Sequence, residues 1–393
     1  MNEPRGQKLI ERYKENYGIV QEAILTEENC VNMNPKILWL RERFRWMGNH
    51  SGYDQLCQAI AQMGTVNDSS IWREFGKNLP RGSRRILLHL GRGAKVSPFY
   101  DHYSTLAELE VLWKTITQKP DLLHINYVEN NLGFLLNWKK RLSLKIVGTA
   151  HQPASWWRLM HRYEDSVAGL DALIVPANRE VLYFEHYLPG RVFFVPHGVD
   201  TTFFQPKPKI EDSEQIQSYP RCVFSGTWLR DIHTLVEVVD RVIAQNPSVR
   251  FDIILPRYSR ENPALYKIAR HEQVVWHAEV SDDKLRRIYQ DANLLLLPVH
   301  DSTANNALLE AMSCGLPVVS NHIGGILDYT RSDFADLLPV GDVNGMVEAV
   351  MRLIDNPQEQ KRRGVAARFF VEENLDWEKI AFQTLDVYSK LLL

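Results

Sequence analysis

A lone glutamate lies in an otherwise apolar helix pattern in the second half of the chain. A buried-strand pattern ends at Pro298, and Ser302, Thr303 and Asn305 then offer good N-cap types. Glu310 is the one charge in the helix pattern that follows. Helical side chains lean toward the helix N-terminus, so this carboxylate would reach the region beyond the strand where ligands gather. It could there accept two hydrogen bonds, as the cis-diol of a ribose would offer.

The start of the same helix also suits anion binding. The backbone N–H groups around Ala304, Asn305 and Asn306 would meet phosphate or sugar oxygens at the positive end of the helix. Gly315 and Pro317 provide the stop signal. On spacing alone the alternative is an exposed helical glutamate with an ordinary cap.

A second polar turn follows an earlier strand pattern. Gly226 and Thr227 form its start, Gly226 allows a tight turn, and Asp231 suits the N-cap of the next helix. Arg230 then stands at the positive end of a helix dipole, where a bound diphosphate would make a cation favourable. The alternative is a solvated loop arginine. Neither turn matches GxGxxG or a Walker pattern, which excludes a dinucleotide site and an ordinary phosphate loop.

The elements that must position these turns follow a repeated strand–helix rhythm, which predicts parallel sheets covered on both faces. In the first half, helices are predicted at Leu106–Ile116 and Glu180–Tyr187. The predicted strands there are Lys36–Leu40, Arg85–Leu90, Asp121–Tyr127, Leu144–Gly148, Ala172–Pro176 and Val192–Pro196.

A linker is predicted at Gln205–Lys209 and the polar stretch Glu211–Ser218, because neither shows periodicity. After it the rhythm resumes. The predicted strands are Cys222–Ser225, Phe251–Leu255, Leu294–Pro298 and Pro317–Ser320. The predicted helices are Asp231–Ala244, Asp282–Asp291, Asn305–Cys314, Val343–Ile354 and Trp377–Leu392. The pattern indicates two doubly wound α/β domains facing a cleft.

Composition narrows the class of protein. The 393 residues are 45% hydrophobic and 24% charged, which is typical of a globular protein of two or three domains. Four scattered cysteines (Cys30, Cys57, Cys222 and Cys314) and thirteen histidines without HExxH or HxH favour a reducing compartment and disfavour a protein-held metal. No apolar run approaches membrane-spanning length, and the N-terminus does not read as a signal peptide. We therefore expect a cytoplasmic protein.

The net charge of −2 hides an asymmetry between a mildly basic first half and an acidic second half. Nucleic-acid binding by the whole chain is not expected. The alternatives left open for the first half are an anionic acceptor and peripheral contact with the inner membrane surface. For Lys139-Lys140-Arg141 a solvated turn competes with a role at anionic lipid.

The run from Leu309 to Val319, followed by Gly324-Gly325, resembles the signature of family 4 retaining glycosyltransferases, which have the GT-B fold. Residues 226–231 resemble the family's diphosphate-binding turn, and residues 195–200 resemble its segment before the interdomain linker. Residues 149–152 and 48–52 resemble its histidine loop and its first glycine-containing loop. The similarity spans about residues 36–390.

The resemblance implies a donor site for a nucleotide-diphosphate sugar, with UDP and GDP types both open. Glu310 would hold the ribose, Arg230 the diphosphate, and Gly226 would let the backbone approach it. The part of the site that holds the phosphates and the sugar would be formed by Thr227, Ser302, Thr303, Ala304, Asn305 and Asn306. The first-domain side, near the reacting carbon and the acceptor, would be formed by Ser51, Gly52 and His151. A structural role closing a strand is the alternative for His151.

Two positions depart from the family pattern. Ser302 stands where the family often has a second glutamate for donor-sugar hydroxyls. The usual Arg and Lys pair on the diphosphate is reduced to Arg230, with Arg257 after the next strand as a second candidate. The identity of the sugar is therefore left open.

These observations predict a retaining, metal-independent GT-B glycosyltransferase that needs no cofactor and acts on a hydroxyl acceptor: a glycan, a lipid-linked sugar or a small molecule. The predicted division is 1–205, 206–376 and a terminal helix 377–393 that returns to the first domain. The catalytic candidates are His151, Arg230 and Glu310. The alternatives are a nucleotide-sugar epimerase or hydrolase of the same fold, and a non-catalytic sugar-binding subunit.

Overall fold

A computed structural model describes residues 34–44, 47–74, 79–91, 97–160, 164–208 and 219–393. The N-terminal segment, Cys30 and the predicted linker stretch Glu211–Ser218 lie outside the described residues. Two sheets organise the rest. The predicted domain boundaries after residues 205 and 376 stay a prediction.

The first sheet is wholly parallel, with strand order β2-β1-β3-β4-β5-β6. Its strands are β1 Lys36–Glu42, β2 Asn67–Arg73, β3 Leu122–Ile125, β4 Lys145–Thr149, β5 Ala172–Val175 and β6 Val192–Phe194. Alternate residues of β1 enter two different cores: Leu38 and Leu40 pack on one face, Ile37 and Trp39 on the other. Burial on both faces explains the nearly uninterrupted apolar strands.

The second sheet is also parallel, with order β12-β11-β10-β7-β8-β9. Its strands are β7 Arg221–Ser225, β8 Arg250–Ile254, β9 Val274–His277, β10 Leu294–Leu297, β11 Val318–Asn321 and β12 Ala335–Leu338. The order reverses between the neighbouring strands β7 and β10. That reversal opens a crevice at their carboxyl ends.

Helices cover both sheets. In the first half they are α1 Gln55–Gln62, α2 Ser83–Gly91, α3 His102–Gln118, α4 Val128–Asn131, α5 Lys139–Leu142, α6 Ala154–Leu159, α7 Glu164–Val167 and α8 Asn178–Glu185. In the second half they are α9 Ile232–Gln245, α10 Asp282–Asp291, α11 Asn306–Ser313, α12 Ile326–Tyr329, α13 Val343–Ile354, α14 Pro357–Asn374 and α15 Trp377–Leu392. Short 3-10 turns occupy Phe134–Asn137, Arg257–Glu261 and Pro263–Lys267.

One predicted strand is wrong. Residues 85–90 belong to helix α2, in which Leu87 and Gly91 are buried one turn apart, so the burial follows a helical period. The sixth strand of the first sheet is instead β2, which lies at the edge of the sheet beside β1. The sequence pattern missed it because an edge strand can be polar. Strands β9 and β12 and helix α14 were also missed. The other predicted elements are confirmed to within a few residues.

The terminal helix α15 returns to the first sheet, as predicted. Ile380 and Leu385 join the core formed by α1 and the strands of the first sheet. The hydroxyl of Tyr388 lies 2.5 Å from Nδ1 of His124, a buried residue of β3. The chain therefore connects the two sheets twice, once after β6 and once before α15. The two connecting segments lie side by side, and the N–H of Val199 donates to the carbonyl of Leu375 at 2.8 Å.

Deleting residues 377–393 should therefore destabilise the first domain as well as the second. The deletion opens one face of the first core and leaves His124 without the Tyr388 hydroxyl. Hydrogen exchange of β1 and α1 measures the effect, with deletion of the exposed Leu393 alone as the control. Unchanged protection of β1 in the longer deletion would contradict this expectation.

Candidate active site

Helix α11 carries Glu310 to the carboxyl edge of the second sheet. The side chain is only 5% exposed, so an exposed helical glutamate is wrong for this position. Its Oε1 accepts from the Ser51 hydroxyl at 2.6 Å and its Oε2 accepts from the Tyr289 hydroxyl at 3.2 Å. Burial raises the pKa of Glu310 to about 7, although both hydrogen bonds favour the charged form. Glu310 therefore presents a buried carboxyl group beside the cleft.

Arg230 occupies the turn between β7 and α9. Its guanidinium donates to the carbonyls of Ser225 at 2.9 Å and Trp228 at 3.0 Å, and to Oδ1 of Asn305 at 3.0 Å. Gly226 has a φ of +96°, and a Cβ there would lie 2.7 Å from the guanidinium. Burial lowers the pKa of Arg230 to about 10, which still leaves it charged at neutral pH. Among the described residues no carboxylate forms an ion pair with it, so this cation lacks a counter-charge.

Asn305 joins the two predicted turns into one site. Its side-chain oxygen accepts from the N–H of Leu308 at 3.3 Å, which makes it the N-cap of α11, and it also accepts from Arg230. Helices α9 and α11 pack on opposite faces of the sheet. The site therefore lies where the winding of the sheet reverses, which is the place that ligands occupy in folds of this kind.

The loop before α11 packs tightly. Ser302 and Thr303 are buried, while Ala304 and Asn306 are half-buried. The Ser302 carbonyl accepts from the N–H of Gly325 at 2.7 Å, and a Cβ on Gly325 would lie 1.9 Å from the Thr303 carbonyl oxygen. Contact with this loop therefore explains why glycine follows β11.

His151 lies across the cleft from that loop, at the end of β4. Its carbonyl accepts from the Thr303 hydroxyl at 2.5 Å. Its Nε2 is 2.9 Å from the carbonyl of Asn126, which can only accept, so Nε2 carries the proton and Nδ1 is free to accept. Burial, followed by the nearby His197, lowers the pKa of His151 to about 3. The ring is therefore neutral at physiological pH.

The first glycine-containing loop lies against the start of α10. The N–H of Asn49 donates to Oδ2 of Asp282 at 2.6 Å, and a Cβ on Gly48 would lie 1.4 Å from Oδ1 of the same carboxylate. Gly52 adopts a φ of +93°, where glycine is favoured. This backbone presents Ser51 to Glu310, so the acceptor-side candidates and the donor-side candidates meet.

The structure thus brings all the predicted site residues to one cleft, with Thr227 in the turn that leads to Arg230. Sequence reasoning missed Asp282, Tyr289 and the cross-cleft pair formed by Trp228 Nε1 and Gln152 Oε1 at 2.9 Å. Tyr289 lies two turns after Asp282 on α10. In a sequence pattern an aromatic residue at that spacing is typical of a buried core position, so nothing marked it as part of a site. In the described ranges there is no group of three or more histidine, cysteine or acidic side chains arranged to hold a metal ion.

Two family models match most of the chain between them. The model described as Glycosyltransferase Family 4 matches residues 54–203, and the model described as Glycosyl transferases group 1 matches residues 219–356. The chain belongs to the family 4 glycosyltransferases. The matched segments contain Gly226, Arg230 and Glu310, the residues at the centre of the cleft. This membership favours sugar transfer over the epimerase, hydrolase and non-catalytic alternatives.

The chain resembles two glycosyltransferases over about two thirds or more of their length. It is 23% identical to the MMP alpha-(1->4)-mannosyltransferase of Mycolicibacterium hassiacum, over 69% of this chain and 71% of the relative. It is 28% identical to the alpha-maltose-1-phosphate synthase of Mycolicibacterium smegmatis, over 62% of this chain and 68% of the relative.

Solved structures confirm the GT-B fold of this glycosyltransferase. Sucrose-phosphate synthase from Thermosynechococcus elongatus superimposes with a TM-score of 0.70 at 18% identity, covering 91% of this chain and 99% of the other. Anabaena HepE in complex with UDP and glucose gives a TM-score of 0.66 at 14% identity, covering 91% and 100%.

Proposed function

We propose that this glycosyltransferase is a retaining enzyme whose nucleotide-diphosphate sugar binds in the crevice between β7 and β10. The proposal is carried by one observation: the half-buried Arg230, which has no counter-charge among the described residues, and the buried Glu310 lie beside the same helix start. The arginine fits the diphosphate and the glutamate fits the ribose hydroxyls. The nucleotide named in the HepE structure supports a donor of this class.

The chemistry is a substitution at the anomeric carbon of the donor. The bond from that carbon to the diphosphate oxygen breaks, a bond to the acceptor oxygen forms, and the acceptor proton passes to the leaving phosphate. Arg230 and the N-terminus of α11 stabilise the charge that develops on the diphosphate. His151 is neutral, and its Nδ1 can accept a hydrogen bond from a hydroxyl. Its role is to orient the sugar or acceptor rather than to supply a proton.

The cleft is held closed by direct hydrogen bonds between its two sides. Ser51 bonds Glu310, the His151 carbonyl bonds Thr303, and the Ser155 hydroxyl donates to Asp301 at 2.6 Å. Closure excludes water from the anomeric carbon and so limits hydrolysis of the donor. A ribose bound to Glu310 must replace or share the Ser51 hydroxyl, which couples donor binding to the position of the first glycine-containing loop.

The proposal is tested by a thermal-shift screen of nucleoside diphosphates and their sugars, followed by product analysis with an acceptor panel. A ligand at about 100 times its dissociation constant adds roughly 2.7 kcal/mol to the free energy of unfolding, which the screen detects. Retention of anomeric configuration in the product supports the retaining assignment. Inverted product, or the absence of any nucleotide-dependent shift, would overturn it.

We expect activity to survive excess EDTA. The sequence has no DxD triplet, and Arg230 with the helix start can carry the charge-neutralising role that a cation has in other enzymes. The measurement is the initial rate with EDTA and with added magnesium or manganese. A rate abolished by EDTA and restored by either metal would refute metal independence.

Replacing Ser302 with glutamate should change the ranking of donor sugars. The serine is neutral and shorter than the glutamate that the family often has, so Asp301, Asn305 or water must serve the sugar hydroxyls instead. Nucleoside-diphosphate affinity should stay within about 1 kcal/mol, because Glu310 and Arg230 hold that part of the donor. A donor panel with parallel nucleotide titrations measures both. An unchanged ranking with lost nucleotide affinity would remove Ser302 from the sugar site.

The acceptor stays a prediction, as does a cytoplasmic location with contact at the membrane surface. Within the described ranges, no helix is both long and apolar enough to cross a bilayer. Lys139 forms an ion pair with Asp171 at 2.9 Å, so the basic turn that it begins is partly neutralised.

A further inference from the structure

Three of the four polar groups of His151 have a hydrogen-bond partner in the protein. The carbonyl accepts from Thr303 across the cleft, and Nε2 donates to the carbonyl of Asn126 at 2.9 Å. The backbone N–H donates to Oε1 of Glu129 at 2.5 Å. Within the part of the chain that the structure describes, only Nδ1 is left to meet a ligand. The residues that hold the other three groups therefore decide where Nδ1 points.

Glu129 holds the backbone on both sides of this position. Its Oε1 accepts two successive N–H groups, from His151 at 2.5 Å and from Gln152 at 2.7 Å. The residue is 2% exposed, and burial raises the pKa of its carboxyl group to about 7. Its Oε2 is buried as well and accepts no hydrogen bond from the described residues. A buried carboxyl group with an unpaired oxygen costs stability, so folding of the loop alone does not explain it.

The turn between β3 and α4 brings Glu129 to the loop that follows β4. Gly148 of β4 permits this approach, because a Cβ there would collide with the side chain of Val128. The same turn places the ring of Tyr127 4.3 Å from the ring of His151, measured between centroids. One short turn therefore holds both the ring and the backbone of the histidine.

We propose that Glu129 is a positioning residue for sugar transfer. It acts through His151, by fixing the backbone so that Nδ1 meets a hydroxyl of the sugar or the acceptor. A group that contacts substrate has to be held to within about 0.5 Å. The same carboxyl group fixes Gln152, whose Oε1 accepts from Trp228 Nε1 at 2.9 Å on the other side of the cleft. This inference rests on the proposed function and deepens it, because it assumes that His151 contacts substrate.

Hydrogen exchange tests the two backbone hydrogen bonds without any ligand. Glu129→Leu removes the accepting oxygen and should speed exchange of the His151 and Gln152 N–H groups about 10-fold or more, the factor that loss of a hydrogen bond to a charged group allows. Glu129→Gln keeps an accepting oxygen and should exchange as the unaltered chain does. If circular dichroism shows that Glu129→Leu is unfolded, Glu129→Asp replaces it, because its carboxylate is retracted by one methylene. Unchanged exchange in the folded variant would overturn the proposal.

A double-mutant cycle tests whether Glu129 acts through His151. The probes are UDP-glucose and GDP-mannose, and turnover is the release of UDP or GDP. Glu129→Leu should lower kcat about 10- to 100-fold, because misplacing a group by about 1 Å can cost a factor of about 100. In a His151→Ala background the same change should lower kcat by no more than about twofold. Glu129→Gln should restore most of the rate, and titration should show unchanged affinity for UDP and GDP in all variants.

Glu108 on α3 provides the matched control. It is also a buried carboxyl group of the first half, and it accepts from the N–H groups of Gly133 at 2.7 Å and Phe134 at 3.1 Å. These two residues belong to a loop that contains none of the site residues named above. Any effect of Glu108→Leu on kcat should be the same factor with and without His151.

Two kinds of failure are distinguishable. If the unaltered chain turns over a donor but Glu129→Leu lowers kcat equally in both backgrounds, or the control couples to His151 as strongly, this proposal is wrong and the proposed function stands. If the unaltered chain releases neither UDP nor GDP and shows no nucleotide-dependent thermal shift, the proposed function is wrong, and this proposal falls with it.

Discussion

Replacing Glu310 with glutamine should weaken nucleoside-diphosphate binding by about 1–3 kcal/mol, the contribution of a hydrogen bond to a charged group. The fold should remain intact, because glutamine keeps an oxygen for one of the Ser51 and Tyr289 hydroxyls, and its NH2 group can donate to the oxygen of the other. Calorimetric titration measures the affinity. Unchanged affinity would remove Glu310 from the ribose.

A modified ligand makes this test specific. A 2′-deoxy nucleoside diphosphate lacks one of the hydroxyls that would donate to Glu310, so the native enzyme should bind it less tightly than the ribonucleotide. Glu310→Gln should reduce that discrimination. Equal discrimination in both proteins would mean that another group reads the ribose. Ser51→Ala is the companion variant, because it frees Oε1 of Glu310 without removing the carboxylate.

The carboxyl group of Glu310 should make both the free energy of unfolding and the nucleotide affinity depend on pH. The pKa of unliganded Glu310 is raised to about 7 by burial, so the folded chain holds this proton at pH values where the unfolded chain, near 4.5, has lost it. Its contribution to the free energy of unfolding therefore falls as the pH rises from about 4.5 to 7. Ribose hydroxyls bind best to the carboxylate, so nucleotide affinity should rise over that window. Glu310→Gln removes this component, which separates it from titration of the phosphate itself.

Replacing Arg230 with alanine should weaken nucleoside-diphosphate binding by about 2–5 kcal/mol, the range for truncating one partner of a buried charge pair. Affinity for the nucleoside alone should change little, because the guanidinium is expected at the diphosphate. Arg230→Lys should recover only part of the loss, since an ammonium cannot bind the carbonyls of Ser225 and Trp228 and the Asn305 amide together.

The control for Arg230 is Arg257→Ala. This arginine follows β8, the neighbour of β7, and is exposed, so it tests whether a second cation serves the diphosphate. We expect a small effect from it. Equal losses in the two alanine variants would divide the role between them, and an equal loss of nucleoside and diphosphate affinity in Arg230→Ala would place the guanidinium away from the phosphates.

The sequence by itself determined the repeating strand–helix architecture and located the two polar turns that we propose bind the donor. Both are local signals. Strands buried on both faces must be apolar throughout, and a helix whose N-terminus is buried needs a capping side chain, as Asn305 and Asp231 show. The reliance on local signals also explains the two wrong predictions in the first sheet. The helix at residues 83–91 reads as a strand because its exposed face is also apolar, and the edge strand β2 is too polar to be recognised.

Only the tertiary structure decided which groups meet. Ser51 and Glu310 are 259 residues apart in the chain, yet their side chains share a hydrogen bond. Asn305 accepts from Arg230 because β7 and β10 are neighbours in the sheet, although two strands separate them in sequence. The burial that raises the pKa of Glu310 arises from packing of segments that are distant in the sequence. Spacing along one chain carries no record of that packing.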